Sequence, residues 1–209
     1  MYFSPLTLLM KNKGLSEGIK IFSYIEQERS KTAEILQEDI AQLVALANTR
    51  TVDSPDVSAY LKEAVSKLRL LAYEMKPQVL ERFGLINALE ELIEKRLGFN
   101  AKYKILLTSK LIDELHPTMR VVIFRLTQQL LNNTHIGTFS NLLIRAEIVT
   151  DYLCLKVYFD ANFYSTVDAE QRLNELTASI EPIVYLFNGY HVVTSTSDRI
   201  KMTMFIKLI

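Results

Sequence analysis

Apolar residues recur in this chain at the spacing of a narrow helical seam, twice over. Ala33, Leu36, Ile40, Leu43 and Ala47 stand 3, 4, 3 and 4 residues apart, and after the turn signal Asp53-Ser54-Pro55-Asp56 the residues Leu61, Ala64, Leu68, Leu71 and Met75 repeat those intervals. A surface helix of a globular protein carries a broad apolar face, whereas this period belongs to a coiled coil or a bundle. Two such helices joined by a short turn form an antiparallel hairpin with matching stripes. A hairpin is half of a four-helix bundle, and the simplest cover for its remaining apolar surface is a second copy related by a two-fold axis. The stripes therefore predict a homodimer built on a four-helix bundle.

On either side of the hairpin the pattern changes. Ser4-Pro5 reads as a helix cap with proline at the first helical position, and Gly14 followed by Ser16 reads as a stop and a new start, which sets apart a helical segment over 1–15. Pro77 interrupts the second helix, Gly84 marks a break, and Leu85 to Leu97 resume a helical period that Gly98 ends, so the helical half runs over 16–98. From Lys102 the period falls to two. Tyr103, Ile105 and Leu107 alternate as a strand, a helix opens at Pro117, and Leu142 to Val149 and Leu153 to Phe159 form a hairpin about Thr150-Asp151. A helix over Val167 to Phe187 and strands over Tyr190 to Thr196 and Met202 to Leu208 complete 99–209. The fold class is α+β: a helical hairpin, then a two-layer sandwich with helices over one face of a largely antiparallel sheet.

Composition removes several functions. Lysine plus arginine equal aspartate plus glutamate at 24 each, and no dense basic run occurs, so no nucleic-acid partner is expected. No long apolar run and no leader pattern occur, which predicts a cytoplasmic protein without membrane insertion. His116, His135 and His191 are far apart and Cys154 is the single cysteine, so neither a metal site nor an internal disulfide is expected, and the thiol reads as buried and inert.

The segment Glu28 to Leu43, ERSKTAEILQEDIAQL, resembles the E-R-x-R-I-A-x-x-L-H-[DE]-x-x-x-Q-L pattern of the phosphoacceptor helix in sensor histidine kinases that work with LuxR-like response regulators. Gln37 stands where that pattern has its histidine, followed by the acidic Glu38. An imidazole is nucleophilic near neutral pH and a primary amide is not, so Gln37 cannot form the phosphoramidate. Met75 to Leu89, MKPQVLERFGLINAL, is similar to the same family's L-[RK]-P-x-x-L-x-x-x-G-L-x-x-A-L segment.

The C-terminal half resembles that family's ATP-binding domain, of the superfamily shared with gyrase and the Hsp90 chaperone. Arg125 to Asn133, RLTQQLLNN, is similar to its R-I-x-Q-E-x-L-x-N box. In the family the asparagine holds magnesium and the glutamate lies near the reacting phosphate; here Asn133 is kept, Gln129 replaces the acid, and Ile136 and Gly137 replace a lysine and a histidine. Asp160 follows a strand as the adenine-binding aspartate of a D-x-G-x-G box would, but Ala161-Asn162-Phe163-Tyr164 comes next. No glycine lies between Thr138 and Asn188, and Leu176 to Ile180 stands in place of a second glycine-rich box. The resemblance thus implies a histidine-kinase-like fold with its chemistry altered: a signalling protein without catalytic residues or cofactor, acting as a dimer on a response regulator or a related kinase. The alternative is a divergent kinase that retains ATP and magnesium binding or phosphoryl transfer.

Overall fold

The computed structural model describes residues 14–50, 55–98, 102–133, 139–161, 166–196 and 199–209. Ser4-Pro5, the Asp53-Ser54 turn, Ile136-Gly137, Asn162 to Tyr164 and Ser197-Asp198 lie outside these residues. The chain divides into two compact units, 23–82 and a second one in which residues up to Phe22 join 83–209. The units part at these points and not at the expected boundary after 98. Helix residues beyond Gly84 bury Leu85, Ala88, Leu89, Leu92 and Ile93, and burial assigns them to the second unit.

Helix α1, Leu15–Glu34, carries the chain into the helical unit and passes through one wide π-helical turn, Ile35–Ile40, into α2, Ala41–Arg50. α3, Pro55–Met75, packs against α2 as the return arm. The most buried residues of this hairpin are small: Ala33, Ala41 and Ala72. Among the expected seam residues Leu36, Leu61, Ala64, Leu68 and Met75 are half-buried, whereas Ile40, Leu43, Ala47 and Leu71 are exposed in the single chain.

The displacement of the seam has a local cause. In an α-helix a residue seven positions on returns to within about 20° of the same azimuth, which would align Ile40 with Ala33. The π turn accommodates an extra residue. Ala41 therefore takes the azimuth that Ile40 would have had, and their exposures are 4% and 38%. Pro77 acts as expected: α3 stops at Met75, and α4, Gln78–Leu97, starts after the bend. Inside α4, Gly84 adopts φ 85° and ψ 179°, a conformation open essentially to glycine alone.

The second unit is built on a five-stranded mixed sheet in the order β1-β2-β3-β5-β4. Its strands are β1 (Lys102–Leu106), β2 (Phe139–Val149), β3 (Tyr152–Ala161), β4 (Tyr190–Ser195) and β5 (Arg199–Lys207). β1 runs parallel to β2 and every other pair is antiparallel. The expected hairpin turns at Thr150-Asp151, with Thr150 at φ 53°. Alternation sends Leu153, Leu155, Val157 and Phe159 of β3, and Ile200, Met202, Met204 and Ile206 of β5, to one buried face. Helices α6 (Pro117–Asn132) and α7 (Thr166–Leu186) supply the other side of that core through residues such as Met119, Ile123, Leu130, Leu176, Ile180 and Val184. The short helix α5, Ser109–Glu114, is capped by the Thr108 hydroxyl, which accepts from the Leu111 amide at 3.1 Å.

The start of α1 closes this core from the far end of the sequence. Phe22 meets Phe187 edge to face, with ring centroids 5.3 Å apart. Gly18 lies so close to the Leu186 carbonyl that a Cβ has no room. Cys154 is buried, as the alternating segment around it implied, and burial pushes its thiol pKa up.

Candidate functional site

Gln37 sits within the π turn of the helical unit, exposed and flanked by the exposed carboxylates of Glu38 and Asp39. Single π turns inside α-helices are found disproportionately at functional positions, because they change the direction of one side chain without breaking the helix. The Gln37 Oε1 accepts from Gln78 Nε2 at 3.4 Å. Beside it, Lys76 Nζ reaches Glu34 Oε1 at 2.9 Å, and the Glu34 carboxylate raises the Lys76 pKa. Glu38, Asp39, Gln42, Leu43 and Leu46 line an open concavity of about 740 Å³ on the same stretch. The site offers hydrogen-bonding groups, carboxylates and apolar side chains, but Gln37 brings no nucleophile.

In the second unit the residues expected near a nucleotide separate. Gln129 is half-buried near the end of α6, and Asn133 caps that helix, its Nδ2 donating to the Gln129 carbonyl at 2.9 Å. The neighbouring Gln128 is buried and accepts from Arg125 Nη1 at 2.8 Å. Asp160 alternates with Phe159 on β3 and so faces away from the helix that carries Gln129 and ends at Asn133. Its carboxylate accepts from Arg199 Nε at 3.1 Å, across the β3–β5 register, and from Asn141 Nδ2. The Asn141 and Arg199 contacts together hold the Asp160 carboxyl below the usual aspartate range.

Leu176 to Ile180, where the resemblance implied a phosphate-cradling segment, forms regular α7 with Leu176 and Ile180 in the core. Backbone amides inside a helix are committed to the i−4 carbonyls and are not offered to a ligand. Among the described residues no group of three or more His, Cys, Asp or Glu could hold a metal ion. A separate polar cluster lies between α7 and β4. Tyr185 Oη donates to Glu181 Oε1 at 3.2 Å, His191 Nε2 stands 4.0 Å from the same oxygen, and His191 Nδ1 is buried without a partner. Burial lowers the His191 pKa, and Glu181 offsets part of that shift. No helix among the described residues is long and apolar enough to cross a membrane.

Sequence reasoning missed the π turn, the Asp160–Arg199 pair and the His191 cluster. Periodicity carries no sign of a π turn until the burial of Ala41 is known, and the other two depend on which strands become neighbours.

No family model matches the sequence, and no curated protein matches it. Solved structures do. The chain is similar to the blue-light-activated histidine kinase EL346 of Erythrobacter litoralis, with a TM-score of 0.53 and 11% identity over 90% of this chain and 59% of that one. The chain thus spans less than two thirds of that kinase. It is also similar to the histidine kinase AdeS of Acinetobacter baumannii (TM-score 0.45, 17% identity, 81% of this chain and 93% of that one). A third similarity is to the histidine kinase domain of EL346 (TM-score 0.46, 13% identity, 90% and 94%). The first of these likenesses gives the fold: α+β and histidine-kinase-like, helices followed by a mixed five-stranded sheet.

Proposed function

We propose that this chain is a histidine-kinase-like signalling protein without phosphoryl-transfer chemistry, which acts in two-component signalling by dimerising through its helical hairpin and binding a response regulator or a related kinase. The observation that carries this reading is the engagement of Asp160: its carboxylate is held by Arg199 and Asn141 on the sheet face turned away from the helix of Gln129 and Asn133. An aspartate so placed does not reach an adenine lodged between helices and sheet. The substitution of the acceptor by Gln37 and the helical course of Leu176 to Ile180 support it further. Phosphoryl transfer depends on positioning and on charge stabilisation around the phosphates, and these residues provide neither.

Calorimetry with ATP and magnesium tests the proposal directly. The expected outcome is no binding in the micromolar range. Micromolar binding abolished by Asp160→Asn would establish the divergent kinase instead. A Gln37→His variant is expected to gain no label from ATP when purified alone, because acceptor and nucleotide positions are both altered. Labelling of that variant by an active kinase of similar fold, or by a phosphorylated regulator, would separate an intact docking surface from the missing chemistry.

A further inference from the structure

The face of the sheet opposite the helices gathers cations that the sequence scatters over about a hundred residues. By strand alternation and register this face carries Lys102 and Lys104 of β1, Arg145 of β2, Lys156 of β3, and Arg199, Lys201 and Lys207 of β5. Its carboxylates on the strands are Glu147 and Asp160, so seven cations face two acids, a net of +5 in a chain whose net charge is zero. Both acids are occupied: Glu147 by Arg145 and Lys156, and Asp160 by Arg199. Among the described residues Lys102, Lys104, Lys201 and Lys207 remain without a carboxylate. Among the described residues only two other lysines, Lys20 and Lys62, are in that condition, because Lys31, Lys67, Lys76, Lys95, Lys110 and Lys156 are all ion-paired.

Aromatic rings of β3, β5 and β4 interleave with these lysines. Lys201 Nζ lies 5.6 Å from the centre of the Tyr158 ring; Thr194 flanks Lys201 on β4, and Leu143 separates Tyr158 from Lys104. At the other end Tyr190 stacks on Phe205 with centroids 4.5 Å apart, and Tyr152, opposite Lys207, meets Tyr190 edge to face at 6.0 Å. Lys201 and Phe205, one at each station, are four residues apart along β5, about 14 Å at the rise of a strand. Tyr190 and Val192 are each 49% exposed. An acidic polypeptide would satisfy the lysines and leave the rings without a purpose, whereas single-stranded nucleic acid offers phosphates to the cations and flat bases to the rings.

We propose that this sheet face binds single-stranded nucleic acid, with Lys102, Lys104, Lys201 and Lys207 neutralising phosphates and Tyr158, Tyr190 and Phe205 stacking on bases. The proposal is independent of the signalling reading, since it uses no residue of the hairpin. It also reverses the expectation drawn from composition. A balanced total and the lack of a basic run say nothing about charge that four strands assemble in space.

Anisotropy of a labelled oligouridine, titrated with the full chain between about 50 and 200 mM salt, tests it. Four phosphate contacts predict a log–log salt slope of about −3, and Lys104→Ala with Lys201→Ala should cut it to about half. Tyr158→Leu with Tyr190→Leu should weaken binding and leave the slope unchanged. Lys20→Ala with Lys62→Ala should change nothing, and circular dichroism of each variant checks folding. No binding at the low-salt end overturns the proposal. So does equal competition by polyglutamate combined with indifference to the tyrosine changes, which would assign the face to an acidic protein.

Discussion

Gly18 shows how a single missing side chain can fix a contact across the whole length of a sequence. Its Cα approaches the Leu186 carbonyl so closely that a methyl group would overlap backbone, and backbone cannot rotate aside as a side chain can. Gly18→Ala is therefore expected to cost about 1–3 kcal/mol, the range for overpacking a well-filled core, as measured by urea unfolding. Gly14→Ala, with open space around it, should cost far less. His191 gives a second prediction at this scale. Burial places its folded-state pKa below the ordinary 6.5, so as the pH falls the unfolded chain takes up the proton first. The stability contributed by neutral His191 is complete above pH 6.5 and is lost as the pH drops through the lowered folded-state value. Unfolding curves at pH 7.5 and 5.5 should differ less for His191→Gln than for the parent chain. Glu181 and Tyr185 are unchanged in that variant, so the difference reports the imidazole.

Among the elements, the π turn separates what period and position could reveal from what they could not. Its effect is testable by deletion: removing Asp39 should convert the turn to regular α-helix and keep Ala33 in line with the former Ala41, whereas removing Val44 from α2 rotates every later residue by about 100°. The first deletion is expected to retain cooperative unfolding and the second to lose most of it. Ala41→Leu should destabilise by about 1–3 kcal/mol through overpacking, and Ile40→Leu by far less, because only Ala41 is closed in by the chain itself. The hairpin arms, the break at Pro77, the Thr150-Asp151 turn and the strand pattern of the second half were all legible, since each rests on local spacing or on proline and glycine. The parallel course of β1 was not, because strand direction depends on the crossover between β1 and β2 and leaves no mark in alternation. Neither was the pairing of Asp160 with Arg199: resemblance drew attention to the aspartate, but its partner is set by the register of two strands 39 positions apart. Helix α5 leaves only its Thr108 cap in the sequence, because six residues are too few to show a helical period.

For the whole molecule, the exposed apolar residues of the hairpin argue for assembly. Leu43 and Tyr60 are 66% and 72% exposed, on arms whose most buried residues are alanines. Sedimentation is expected to give a dimer at micromolar concentration, and Leu43→Asp should yield a monomer with unchanged helix content. A monomeric parent chain would remove the basis for the four-helix bundle. The contact of Phe22 with Phe187 also sets a timetable. A ribosome adding about 5–20 residues per second takes roughly 8–33 seconds to travel from one ring to the other. Throughout that interval the start of α1 lacks the core that it closes, whereas residues 23–82, being contiguous, are complete as soon as Arg82 has been added. If the proposed dimer forms, nascent chains on one messenger thus have time to meet through their hairpins before any of them owns a finished second half.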